Sequence, residues 1–143
     1  MPIEGYRSTI DRFFTSDALS VSAPPELSLP VDGATGVRVG APFSWNAFSG
    51  GMHILLFNGP AGQPDIYVMT VAANDSLPNL APAGLPVPAS AAYSWSVIGV
   101  APFANMDAAT STTGFLPAGF GSGLVEGTGS MGGSAIRGFT TAP

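Results

Sequence analysis

Ala91-Ala92-Tyr93-Ser94-Trp95-Ser96-Val97-Ile98-Gly99-Val100 is the stretch that decides how this chain folds. Tyr93, Trp95, Val97 and Gly99 recur at every second position, with Ser94 and Ser96 between them. That alternation belongs to a β-strand with one dry face. Far upstream, Ala41-Pro42-Phe43-Ser44-Trp45-Asn46-Ala47 carries the other tryptophan of the chain, again in a strand-like run. Large aromatics in two distant strands predict two sheets packed face to face around a shared core, with Trp45, Tyr93 and Trp95 inside it.

Working outward, the remaining runs are short and punctuated. The chain holds 19 glycines and 14 prolines among 143 residues, too many for a helical protein. They separate apolar runs in the manner of an all-β fold. Leu27 and Leu29 are expected on one face of a short strand closed by Pro30 and an Asp32-Gly33 turn, and Val37 and Val39 lead into the Trp45 strand. Gly50-Gly51 connects to Met52-His53-Ile54-Leu55-Leu56-Phe57, and a Gly/Pro loop leads on to Ile66-Tyr67-Val68-Met69-Thr70-Val71. Residues 75–80 read as a short edge-like strand broken by Pro78. Residues 1–25 read as an extended, strand-forming arm stiffened at Pro24-Pro25, with a helix over 8–19 as the alternative.

The order Leu29-Pro30, Asp32-Gly33-Ala34-Thr35, Phe43-Ser44-Trp45, Leu85-Pro86, Tyr93-Ser94-Trp95-Ser96-Val97 and Arg137-Gly138-Phe139-Thr140-Thr141 resembles a bacterial fibronectin type III-like domain over residues 26–143. The resemblance implies an immunoglobulin-like β-sandwich with Trp45 in the core. It also implies a corner role for Tyr93, its hydroxyl bonding back near Leu85, and a closing strand over 134–141 with Phe139 in the core. The chain departs from that family in a long apolar insertion before the last strand, residues 101–133, which includes Phe103, Met106, Phe115 and Phe120.

Composition limits the chemistry. There are four arginines, no lysine and nine acidic residues, for a net charge of −5. No basic stripe is available to displace counterions from nucleic acid, or to hold a membrane surface. No stretch is long and apolar enough for a membrane-spanning helix, and residues 1–20 lack the pattern of a signal peptide. Cysteine is absent, which removes thiolate metal sites, redox motifs and disulfides.

His53 is the only histidine, and no Gly-x-Ser-x-Gly elbow accompanies it. None of the nine carboxylates lies within two residues of another, so no calcium loop is read. Gly127-Thr128-Gly129-Ser130-Met131-Gly132 matches a dinucleotide fingerprint in letters only, because the sequel is a strand instead of a helix. No catalytic residue, cofactor or metal is therefore assigned.

The more informative anomaly is apolarity on both sides of a strand. Met52, Ile54 and Leu56 share one face of their strand, and Leu55 and Phe57 share the other. Something must cover the second face: the insertion, the arm or a neighbouring chain. Charged residues are only 9% of the chain, against about 25% in ordinary domains.

These features imply a non-enzymatic structural or protein-interaction module, extracellular or on a bacterial cell surface, whose partners are other protein chains. Two alternatives stand beside it. One is a self-assembling subunit of a filament or sheath, using strand donation from the arm, with Tyr6, Ile10, Phe13, Phe14, Leu55 and Phe57 as assembly contacts. The other is a carbohydrate-binding module stacking sugars on Tyr67, Trp95 and the phenylalanines of the insertion.

Overall fold

The computed structural model describes residues 22–111 and 130–143. The arm residues Tyr6, Ile10, Phe13 and Phe14, the helical alternative over 8–19, and Phe115 and Phe120 lie outside the described residues.

The regular structure of the described residues is mostly β, arranged in two facing sheets. The smaller sheet contains β1 (Leu27–Leu29), β3 (Pro42–Trp45) and β6 (Asn74–Ser76), with β3 in the middle. The larger contains β2 (Ala34–Val37), β4 (Met52–Asn58), β5 (Ile66–Thr70), β7 (Ala92–Ala101) and β9 (Arg137–Thr141), in the order β2-β9-β7-β4-β5. A further strand, β8 (Ser130–Gly133), pairs with the far end of β7. Among the described residues a short α-helix, α1 (Met106–Thr110), follows β7, and a single 3-10 turn spans Ala81–Ala83.

The alternation of the Tyr93 run is realised. Tyr93, Trp95, Val97 and Gly99 are buried, while Ser94, Ser96 and Ile98 are only half-buried. From the opposite sheet Phe43 projects into the same interior. Its ring centroid lies 4.9 Å from Phe57, 4.9 Å from Trp95 and 5.3 Å from Phe139, each in edge-on geometry. Edge-to-face contacts set the positive rim of one ring against the negative face of the next. Trp45, Leu27, Leu55 and Leu77 close this main core.

The outer face of the larger sheet has its own dry layer. Met52, Ile54, Val100 and Ala109 form a second buried cluster, with Leu56, Met69, Ile98, Phe103 and Met106 packed against it. The cover is therefore supplied by residues 103–109 of the insertion. The Asn105 side chain caps α1 by accepting from the Ala108 amide at 2.8 Å, which lets so short a helix start cleanly.

Leu29 departs from expectation. It is exposed while Leu27 is buried, because the β1–β3 register shifts between the two residues and turns the second side chain outward. The boundaries of the insertion also move inward: β7 runs through Ala101 and β8 begins at Ser130. Between β8 and β9, the Ser134 hydroxyl accepts from the Val97 amide at 2.9 Å and the Ser134 amide donates to the Val97 carbonyl at 2.9 Å. One residue thus carries the β7 ladder across the break.

Three long-range pins fix the closing strand. Asp32 Oδ1 accepts from the Gly138 amide at 2.7 Å, and the Gly33 amide donates to the Gly138 carbonyl at 2.8 Å. Arg137 Nη1 donates to the carbonyls of Ser28 and Pro30. Thr141 Oγ1 accepts from the Ala91 amide and donates to the Pro88 carbonyl.

If α1 and Phe103 complete a real second core, Ile54→Ala loses about 2–5 kcal/mol in urea unfolding, as for a buried aliphatic. A loss below about 0.5 kcal/mol, the range of surface substitutions, would contradict that cover.

Candidate functional site

Of the residues singled out from the sequence, Trp45, Tyr93, Trp95 and Phe139 are gathered, but in the interior. Trp95 is fully buried, and Trp45, Tyr93 and Phe139 are nearly so. Both indole Nε1 groups are buried without a hydrogen-bond partner among the described residues. Each such group costs about 1–3 kcal/mol. The rings are held for their bulk.

Tyr93 stacks on Phe139, with centroids 5.6 Å apart and an interplanar angle of 18°. Its ring also fills the space above Gly59, where an added Cβ would lie 2.9 Å from Tyr93 Cε1. No hydrogen bond joins its hydroxyl to the segment near Leu85. The ring is directed at the β4–β5 loop, and the Leu85 amide closes its own turn on the Leu80 carbonyl at 3.1 Å.

Leu55 and Phe57, expected as assembly contacts, are fully buried in the main core, so neither can touch another chain in the folded state. Their side of β4 faces the opposing sheet, and the other side faces α1. Trp95 is closed to sugars for the same reason. Tyr67 alone of the named stacking residues within the described chain is exposed, at 52%. Phe103 packs against the second core.

His53 sits in a constellation that sequence reasoning missed. Its Nε2 accepts from the Phe48 amide at 2.8 Å, so a neutral ring carries its proton on Nδ1. Nδ1 is buried without a hydrogen-bond partner among the described residues. The Trp45 ring meets the imidazole edge-on at 5.5 Å. Phe48 itself is buried over Gly99, the cross-strand partner of His53, where any Cβ would come 2.4 Å from the Phe48 Cβ. Gly132 approaches the same ring. The available signal was an inward-facing glycine in an otherwise bulky strand, a socket that needs a plug.

Burial lowers the pKa of His53 from its ordinary value, and the neighbouring backbone of Ala72 and Thr70 pulls the other way. Among the described residues no hydrogen bond joins the ring to a carboxylate or hydroxyl that would set it up as a general base. Among the described residues, no three of His, Asp and Glu come together as metal ligands. The glycine-rich match at 127–132 ends in a strand from Ser130, and β9 follows it.

What remains accessible among the described residues is scattered polar and charged side chains, Glu26, Asp32, Arg38, Asp65 and Asp107 among them, and isolated apolar ones. Leu29, Val31, Tyr67, Val71, Met131 and Ile136 are each more than half exposed. β5 ends the larger sheet, with one side bonded to β4 and the other unpaired among the described residues. Comparisons with protein-family models, with curated proteins and with solved structures found no match.

The His53 environment predicts a pH dependence. Its folded pKa lies below the unfolded value near 6.5, so its full contribution to stability is present above that pH. As pH falls through 6.5 the unfolded chain binds a proton that the folded one refuses, and stability drops until the folded pKa is passed. Urea midpoints compared at about pH 7.5 and about pH 5.5 are expected to fall, and His53→Gln is expected to flatten that fall. An unchanged slope in the variant would contradict the assignment.

Proposed function

We propose that this chain is a non-enzymatic contact module of a bacterial cell-surface or secreted protein, folded as a fibronectin type III-like sandwich, with other protein chains as its partners. The strand partition supports the fold reading. Setting aside β2 and β8, the first, second and fifth strands (β1, β3, β6) face the third, sixth and seventh (β4, β7, β9), as in immunoglobulin-like sandwiches. β5 lies beside β4, so the fourth strand joins the sheet of the third.

One observation carries the functional reading. The two tryptophans, the histidine and the core phenylalanines are all consumed by packing, while the accessible surface of the described residues includes a strand edge unpaired among them and single apolar side chains. Such a surface is suited to contact, and its exposed carboxylates Glu26, Asp32, Asp65 and Asp107 are not grouped with the buried His53 among the described residues, which supports a role without acid–base chemistry. Self-assembly is the second reading, favoured by the β5 edge that is unpaired among the described residues. The apolar outer face no longer motivates it, since residues 103–109 cover that face from within the chain.

The test is a photo-reactive methionine analogue incorporated throughout the chain and irradiated on producing cells. Protein adducts mapping to Met131 or Met69 are expected, with either the same chain or another as the second partner. Absence of any protein adduct, together with retention on polysaccharide columns that Tyr67→Ala abolishes, would replace this reading with sugar binding.

A further inference from the structure

The strand edges differ in how they resist pairing. β1 has three residues and a register shift. β6 has three residues and a carboxylate at its centre, Asp75. β2 is interrupted by a register shift between Ala34 and Val37 and contains Gly36 at φ +70°. β8 is four residues with two glycines, and Pro24 lies against Gly132. Short, bulged or charged edges are the usual defences against edge-to-edge association.

β5 has none of them. Its five residues, Ile66-Tyr67-Val68-Met69-Thr70, match β4 in unbroken register from Phe57↔Ile66 to His53↔Thr70. They carry no charge, proline or glycine, and Val71 beyond them is exposed and apolar. The side of β5 that is unpaired among the described residues presents backbone donors and acceptors of the kind that another extended segment can pair with.

We propose that two copies of this chain pair antiparallel along β5, about a two-fold axis at Val68, to form one continuous sheet across a dimer. This rests on the contact-module reading above and names its partner. Self-pairing sets a strand against its own sequence, so a strand with any charge at its centre would meet the same charge; β5 meets none. Asp65 decides the direction. Parallel pairing would bring the two Asp65 carboxylates side by side. The antiparallel arrangement separates them by about 20 Å along the strand, beyond the screening length of about 8 Å.

In this register Tyr67 of one copy lies opposite Met69 of the other, a ring-to-sulfur contact of the kind that soft methionine makes well. Met69 already packs against the second core, so the outer apolar layers of the two copies become continuous. Asp65 of each copy comes to lie near Val71 of the other.

The test is sedimentation equilibrium on the full chain, with hydrogen exchange of residues 66–70 at low and high concentration. A dimer is expected, along with concentration-dependent protection of the β5 amides that are not bonded to β4. Tyr67→Lys is expected to weaken the dimer by about tenfold or more, since it sets lysines close to the axis. Val71→Lys is expected to tighten it, in a salt-sensitive way, through the facing Asp65. Near-UV circular dichroism checks that each variant retains the fold.

Three results would overturn the proposal. One is a wild-type chain that stays monomeric throughout. Another is a dimer unaffected by both lysine variants. The third is a dimer lost in Phe13→Glu/Phe14→Glu but kept in Tyr67→Lys, which would move the interface to the arm. A monomer that still forms adducts with another protein would sink the dimer and leave the contact-module reading standing.

Discussion

Everything in this fold depends on one pair of strands that is buried along one face and, toward Met52 and Val100, on the other face as well. β4 and β7 run antiparallel through seven consecutive partners, from Met52↔Val100 to Asn58↔Ser94. On one side their His53, Leu55, Phe57, Tyr93, Trp95 and Val97 meet Phe43 and Trp45 of the opposing sheet. On the other side Met52, Ile54 and Val100 meet α1 and Phe103. A sheet wetted on one face could tolerate polar substitutions along that face. This one can do so only toward Ser94 and Ser96, because the end formed by Met52, Ile54 and Val100 is buried on both sides.

The same constraint accounts for the site. Burying both faces leaves no room near the centre of the sheet for solvent or substrate, so its only histidine becomes a packing residue. Its Nε2 satisfies the Phe48 amide, and Phe48 fills the socket above Gly99. The polar side chains that do work are deployed as ties. Asp32, Arg137, Ser134 and Thr141 each complete backbone hydrogen bonding where strands begin, break or end. What chemistry remains sits at the margins, where β5 exposes main-chain groups.

Much of this was legible in the sequence, and the failures have physical reasons. Strict alternation in the Tyr93 run identified a half-buried strand, and two distant tryptophans pointed to one interior. Apolarity on both faces of residues 52–57 correctly demanded a cover. Periodicity reveals which residues share a face, however, and says nothing about which face turns inward when both are apolar. Leu55 and Phe57 were assigned outward for that reason. The cover itself was hidden because α1 spans five residues, too few for a helical period to stand out from a loop. Leu29 was misplaced by a register shift that no local pattern announces.

Native-state hydrogen exchange resolved by residue tests the doubly buried pair most directly. Amides of Ile54, Leu55, Leu56, Val97 and Ile98 should exchange only through global unfolding, the slowest in the molecule, with those of β6 at the opposite extreme. If the β4 amides exchange as readily as those of Asn74–Ser76, the central strands are not shielded on both sides, and the account of the fold and its surface fails with them.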